Sequence, residues 1–111
     1  MIKTVVKKWG KEEWIVNNDK YCGKILTVKK GFRCSLHFHK KKHETFYVLE
    51  GNPLMESGGR VVNAWIGDVF KILPGALHRF SAIDNEVKLI EFSTHHKDSD
   101  SYRAELSGRI K

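Results

Sequence analysis

The sequence contains no apolar stretch approaching the ~20 residues needed to cross a bilayer. Its opening, MIKTVVKKWGKEEW, lacks the apolar core and small-residue cleavage site of a secretory leader. Two cysteines, Cys22 and Cys34, are too few for a disulfide framework and read as free thiols inside strands. These absences together lead us to expect a cytoplasmic protein with no membrane partner. No helix-turn-helix, zinc-finger or RNA-recognition signature is present either, which leaves nucleic acid aside as a partner. Linkers, repeats and low-complexity segments are also missing, so the 111 residues read as one domain, 1–111, large enough to bury a single core without covalent staples.

What the chain does have is positive charge and a strand rhythm. The formal net charge is +7, with lysines scattered except at Lys40-Lys41-Lys42. Without a nucleic-acid motif, that balance favours a small anionic ligand such as a phosphate or an acidic sugar. Apolar residues recur with period two in short runs broken by turn residues. KYCGKILTVKK stops at Gly31, RCSLHFH at a run of lysines, ETFYVLE at Gly51-Asn52-Pro53 and PLMES at Gly58-Gly59. RVVNAWI, VFKIL, LHRFSAI and VKLIEFST follow in the same way. Strands at this spacing, with no helix-length segment between them, predict an all-β sandwich or barrel. Only DSDSYRAELSGRI reads as helical, with N-caps at residues 98–100 and a stop at Gly108.

Strand parity gives the fragment CSLHFHKKKHE a geometry. Alternation across RCSLHFH places Arg33, Ser35, His37 and His39 on one face and Cys34, Leu36 and Phe38 on the other. A hairpin through the lysine turn returns Glu44 toward the two imidazoles. In the second half, GDVFKILPGALH reads as strand, tight turn at Pro74-Gly75, then His78 opening the next strand. Imidazoles with a carboxylate suit Fe, Mn, Ni, Zn or Co and leave coordination positions open.

These spacings resemble the cupin family. Its first motif, glycine, five residues, His-x-His, four residues, glutamate, six residues, glycine, is matched by Gly31, His37, His39, Glu44 and Gly51. Its second is matched at Gly67, Gly75 and His78, with Leu73 in place of the usual proline and Ala82 in place of the asparagine. The resemblance implies a double-stranded β-helix, a jelly-roll barrel with a short C-terminal helix. It also implies one divalent transition metal held by His37, His39, Glu44 and His78. A narrower resemblance, carried by Trp9-Gly10 with Glu13, His78-Arg79 and the ending LIEFSTHHKDSDSYR, is to the cupin domain of type II phosphomannose isomerases and related sugar isomerases. It implies isomerisation of a sugar, sugar phosphate or nucleotide sugar through a metal-stabilised enediolate. A non-catalytic sugar-binding cupin and an Fe(II)-dependent dioxygenase are the alternatives within the same ligand set.

The remaining polar residues each carry two readings. Glu91 is a candidate base facing the lumen, or an outward carboxylate; His43 is a candidate acid or base, or an exposed loop histidine. Arg79 and Arg33 are candidate anion binders, although Arg79 should leave its strand opposite His78. The lysine turn is a pocket mouth or a solvated loop. His95-His96 reads as an exposed pair. Phe46 and Phe80 share parity with Glu44 and His78 and are expected as walls of the substrate pocket. Exposed sheet edges in so small a barrel lead us to expect a strand-paired homodimer.

Overall fold

The computed structural model describes residues 2–110, so residues 1 and 111 of the expected 1–111 domain lie outside it. Strands β1 (Lys3–Lys7), β2 (Gly10–Asn17), β3 (Cys22–Val28), β4 (Phe32–Arg33), β5 (Leu36–Phe38), β6 (Glu44–Glu50) and β7 (Leu54–Ser57) occupy the first half. The second half holds β8 (Arg60–Asn63), β9 (Val69–Ile72), β10 (His78–Ala82), β11 (Val87–Ser93), β12 (Tyr102–Glu105) and β13 (Gly108–Arg109). One sheet runs β1-β2-β3-β11-β6-β9. In the other, β10 is central: β4 and β5 pair along one side of it and β7, followed by β8, along the other, while β12 and β13 extend β5 and β4.

Every pairing is antiparallel, and the period-two pattern explains why. On β6 the side chains of Glu44, Phe46 and Val48 are buried, whereas Tyr47 and Leu49 face out. On β11 Val87, Leu89 and Glu91 are buried in the same alternation. The inner faces pack around Trp9, Leu26, Val28, Phe46, Val48, Phe80 and Leu89, with Trp9 and Phe46 both edge-on to Phe80 at 5.6 and 5.8 Å. Fully burying each large apolar side chain contributes roughly 1.5–3 kcal/mol. Gly51 closes the turn after β6 at φ +78, and a Cβ there would stand 2.4 Å from the carbonyl oxygen of Glu86.

Two expectations are corrected. The strand read through RCSLHFH breaks at Cys34 and Ser35, both buried, so the alternation does not carry across from Arg33 to His37. The helix expected over DSDSYRAELSGRI is confined to a single 3-10 turn at Asp98–Asp100, and the rest pairs as β12 and β13. The physical reason is the free edge offered by β5 and β4, whose unpaired backbone groups take up the tail. The hairpin of β1 and β2, in register from Lys3 against Trp14 to Lys7 against Gly10, adds two strands not individually recognised in the sequence.

Candidate metal centre

The histidines come from the second sheet and the carboxylates from the first. His78 lies directly opposite His37 in the β10–β5 pairing, and His39 follows β5, fixed by the Gly75 N–H, which donates to its carbonyl at 2.7 Å. Gly75 sits at φ +87, as the Pro74-Gly75 turn demands. His37, His39 and His78 offer ring nitrogens within 4.8 Å of one another. Glu44, at the start of β6, brings Oε2 to 3.0 Å from His78 Nε2 and 3.4 Å from His39 Nε2. His39, His78 and Glu44 are buried; His37 is half-buried.

The outer ring nitrogens determine what the inner ones can do. Nδ1–H of His37 donates to the Ser35 carbonyl at 2.8 Å, that of His39 to the Asp100 carbonyl at 2.9 Å, and that of His78 to the Ala76 carbonyl at 2.9 Å. A carbonyl only accepts, so each Nδ1 carries the proton and each neutral ring presents a lone pair at Nε2. His39 Nε2, His78 Nε2 and Glu44 Oε2 are buried without a hydrogen-bond donor. A proton between His78 and Glu44 would satisfy that contact and leave His39 facing an acceptor. A single cation would serve all of them, and the tautomer pattern suits a metal centre. The three histidines are thus positioned for a metal.

The titration behaviour agrees with this picture. Burial, then the neighbouring His78, push the His37 pKa down to about 3. Burial also lowers His39, against the pull of Glu44. For Glu44, burial alone would raise the pKa; the Lys42 ammonium at 3.1 Å opposes it, and the carboxyl is held ionised, well below the usual range. Neutral imidazoles at His37 and His39 beside an ionised carboxylate are forms a metal requires.

The cluster opens into a cavity of about 570 Å³, a size suited to a small molecule. Phe46 and Phe80 form part of its wall, and Glu91 is buried and lines it. Three other expected residues are placed elsewhere. Arg79 is buried on the side away from the cavity, its Nε donating to the Cys34 carbonyl at 3.1 Å and Nη1 to Glu105 at 3.0 Å. Arg33 is half-buried and does not line the cavity, because the break at Cys34 and Ser35 turns it away from His37. His43 is exposed, its backbone N–H donating to Thr94 Oγ1.

Residues not chosen as site candidates line the cavity as well. Lys42, from the turn read as a solvated loop or pocket mouth, is 3% exposed and lines the cavity. Lys24 is buried against Glu12 at 3.4 Å with its ammonium 4.2 Å over the Trp14 ring. Arg103 pairs across from His37 on β12 and lines the cavity with Lys7 and Lys8. His96, expected as exposed, lines it too. The parity of Lys42, two positions before Glu44 and in step with the buried Phe46 and Val48, was the available signal. Cys34, its thiol pushed up to about 12 by burial, stays protonated and serves packing.

A model of the cupin domain matches residues 24–93, well over half of the chain. The protein belongs to the cupin family. Its two facing sheets are the cupin fold, and solved structures agree. The capsular polysaccharide assembling protein CapF of Staphylococcus aureus is 18% identical, with 96% of this chain and 35% of that one covered at a TM-score of 0.79. KdgF of a Halomonas species is 16% identical, with 89% of each chain covered and a TM-score of 0.78. Oxalate decarboxylase of Bacillus subtilis is 16% identical, with 93% and 30% covered and a TM-score of 0.82. The chain thus spans about a third of CapF and of the decarboxylase and most of KdgF. At these identities the likeness is one of fold. No curated protein matches the sequence. Among the described residues, no helix is long and apolar enough to cross a membrane.

Proposed function

We propose that this cupin holds one divalent transition metal on His37, His39, Glu44 and His78 and isomerises a small anionic sugar, such as a sugar phosphate or nucleotide sugar. The observation that carries it is the convergence of imidazole lone pairs and a Glu44 oxygen, buried and without donors, at the wall of a small-molecule cavity. A metal bound there supplies a Lewis acid that polarises a sugar carbonyl.

The chain's own groups supply the rest. Glu91 has Oε2 engaged by the Lys42 ammonium at 2.8 Å and by the Ser93 hydroxyl at 3.0 Å, which leaves Oε1 to take a proton from one sugar carbon and return it to the next. Phe46, Phe80 and Trp9 exclude water from that side of the cavity. Inside it, Glu12, Glu44 and Glu91 stand against Lys24 and Lys42, one net negative charge that a divalent cation turns into one net positive charge. That balance favours an anion. Arg103, Lys7 and Lys8, none in an ion pair among the described residues, take over the role expected of Arg79 and Arg33 in gripping its charged end. CapF, named for capsular polysaccharide assembly, provides a carbohydrate setting for the same fold. The open edges of the first sheet, β1 and β9, support a homodimer, which the solution mass tests.

The decisive experiment loads the purified protein with Mn, Fe, Co, Ni or Zn and follows a panel of sugar phosphates by NMR. Interconversion of an aldose and a ketose is expected. Tight binding of a sugar with no turnover would overturn the isomerase in favour of a binding module; oxygen consumption with Fe(II) alone would replace it with a dioxygenase.

A further inference from the structure

Lys42 is the most constrained lysine near the centre. All three donors of its buried ammonium are taken: Oε1 of Glu44 at 3.1 Å, Oε2 of Glu91 at 2.8 Å and Nδ1 of His96 at 2.8 Å. His96 can accept because its Nε2–H donates to Asp98 at 2.9 Å. The base of the side chain is fixed as firmly as its head. The Asp100 carboxylate accepts the backbone N–H groups of Lys40, Lys41 and Lys42, so the turn carrying Lys42 is tied to the 3-10 turn at Asp98–Asp100. The same Asp100 offers its carbonyl to His39 Nδ1.

This arrangement divides two carboxylates. Glu44 gives one oxygen to Lys42 and the other to the imidazoles. Glu91 gives one oxygen to Lys42 and Ser93 and keeps the other for the cavity. We propose that Lys42 is a positioning residue that acts as the internal counter-ion of the metal centre, confining Glu44 to one-oxygen ligation and tempering the site's hold on its cation. In the same contact it turns a single oxygen of Glu91 toward substrate. The inference rests on the metal reading above.

A purely structural ion pair and an internal counter-ion differ in sign. Removing a structural tie disorders Glu44 and weakens metal binding, as loss of an outer partner of a ligand ordinarily does. Removing a counter-ion takes away a positive charge that repels the metal through a shared carboxylate, and so tightens it. The test uses Co²⁺ as the only ligand, on the whole protein at one pH, with affinity measured by competition against a chelator and geometry by the visible spectrum. Lys42→Met should bind Co²⁺ about tenfold or more tightly than wild type. Its d–d absorption should weaken as the second Glu44 oxygen joins and the coordination number rises. Lys42→Arg, which keeps the charge, should stay within about threefold of wild type with an unchanged spectrum.

Equal or weaker Co²⁺ binding by Lys42→Met overturns the proposal. A wild type that takes up no Co²⁺ removes the metal reading and this inference together; one that does, with Lys42→Met unchanged, removes this inference alone. If Lys42→Met folds only in the presence of Co²⁺, the counter-ion role is supported, because the cation then replaces the missing charge. If it fails to fold at all, Lys42→Met in a Glu91→Gln background is compared with Glu91→Gln alone, and the same tightening is expected. A failure of that double variant to fold even with Co²⁺ makes Lys42 a folding residue and overturns the proposal.

Discussion

The cavity holds two polar clusters, at its imidazole end and at the corner where β2 meets β3, and they differ in completeness. At the corner, the Lys24 ammonium lies over Trp14 and beside Glu12, and the Trp14 indole N–H donates to the same Glu12 carboxylate at 2.8 Å. Each strong group there has a partner of opposite character. At the imidazole end, lone pairs meet a carboxylate and no donor lies between them. Both clusters are buried polar chemistry, yet only the second is incomplete without something from outside. Burial of polar groups therefore identifies structure as often as function; lack of satisfaction is what distinguishes them.

This contrast can be broken by experiment. The largest effect is expected from His78→Ala, which removes a central ligand: metal purified with the protein should fall from near stoichiometric to background by elemental analysis, and retention would dissolve the distinction between the clusters. Glu91→Gln should keep its metal yet lose about 100-fold or more in turnover, the usual range for a general base, and full activity would remove Glu91 from the chemistry. Glu44→Gln keeps the size and drops the charge; we expect about 10- to 100-fold weaker metal binding with the melting transition preserved. At the complete cluster the pattern should reverse: Lys24→Met leaves Glu12 without its cation and should cost about 1–3 kcal/mol in urea unfolding while metal content stays unchanged.

The smallest effect concerns pH at the same corner. Burial would raise the Glu12 pKa, but Lys24 and the Trp14 N–H outweigh it and hold the folded value below the ordinary one. The unfolded chain then binds the proton first as the solution is acidified, so the stability contributed by Glu12 is present above its ordinary pKa and is lost as pH falls through the folded value. The stability difference between wild type and Glu12→Gln should be flat above about pH 5 and shrink below it. A difference independent of pH would mean that the corner is held by packing rather than by charge.

Much of the centre was legible because its geometry is local. His37 and His39 are two residues apart beside a strand, Glu44 opens the next one, and the turn glycines Gly51 and Gly75 adopt positive φ where the motif spacing calls for them. The phenylalanines Phe46 and Phe80 followed from the same parity. Arg33 did not, because the chain breaks at Cys34 and Ser35 and parity is meaningful only within an unbroken strand. Arg79 kept its parity and for that reason pointed away, to Glu105 on a strand that local signals had made into a helix.

The sequence by itself determined the alternation that buries one face of each strand, the turns that set strand lengths, and the spacing of three imidazoles and a carboxylate. Except for His78, which a distant strand brings opposite His37, these depend on neighbours a few residues apart, where backbone stereochemistry leaves few choices. Tertiary structure alone decided which ring nitrogen of His39 carries its proton, since the carbonyl of Asp100 reaches it from a distant segment. It also decided that the tail pairs as strand on the free edge of β5, and that one lysine of three in a charged turn is drawn inside. A lysine is buried only where its charge is met, and the carboxylates that meet Lys42 arrive from two strands, β6 and β11, that only the closing of the sheet brings together.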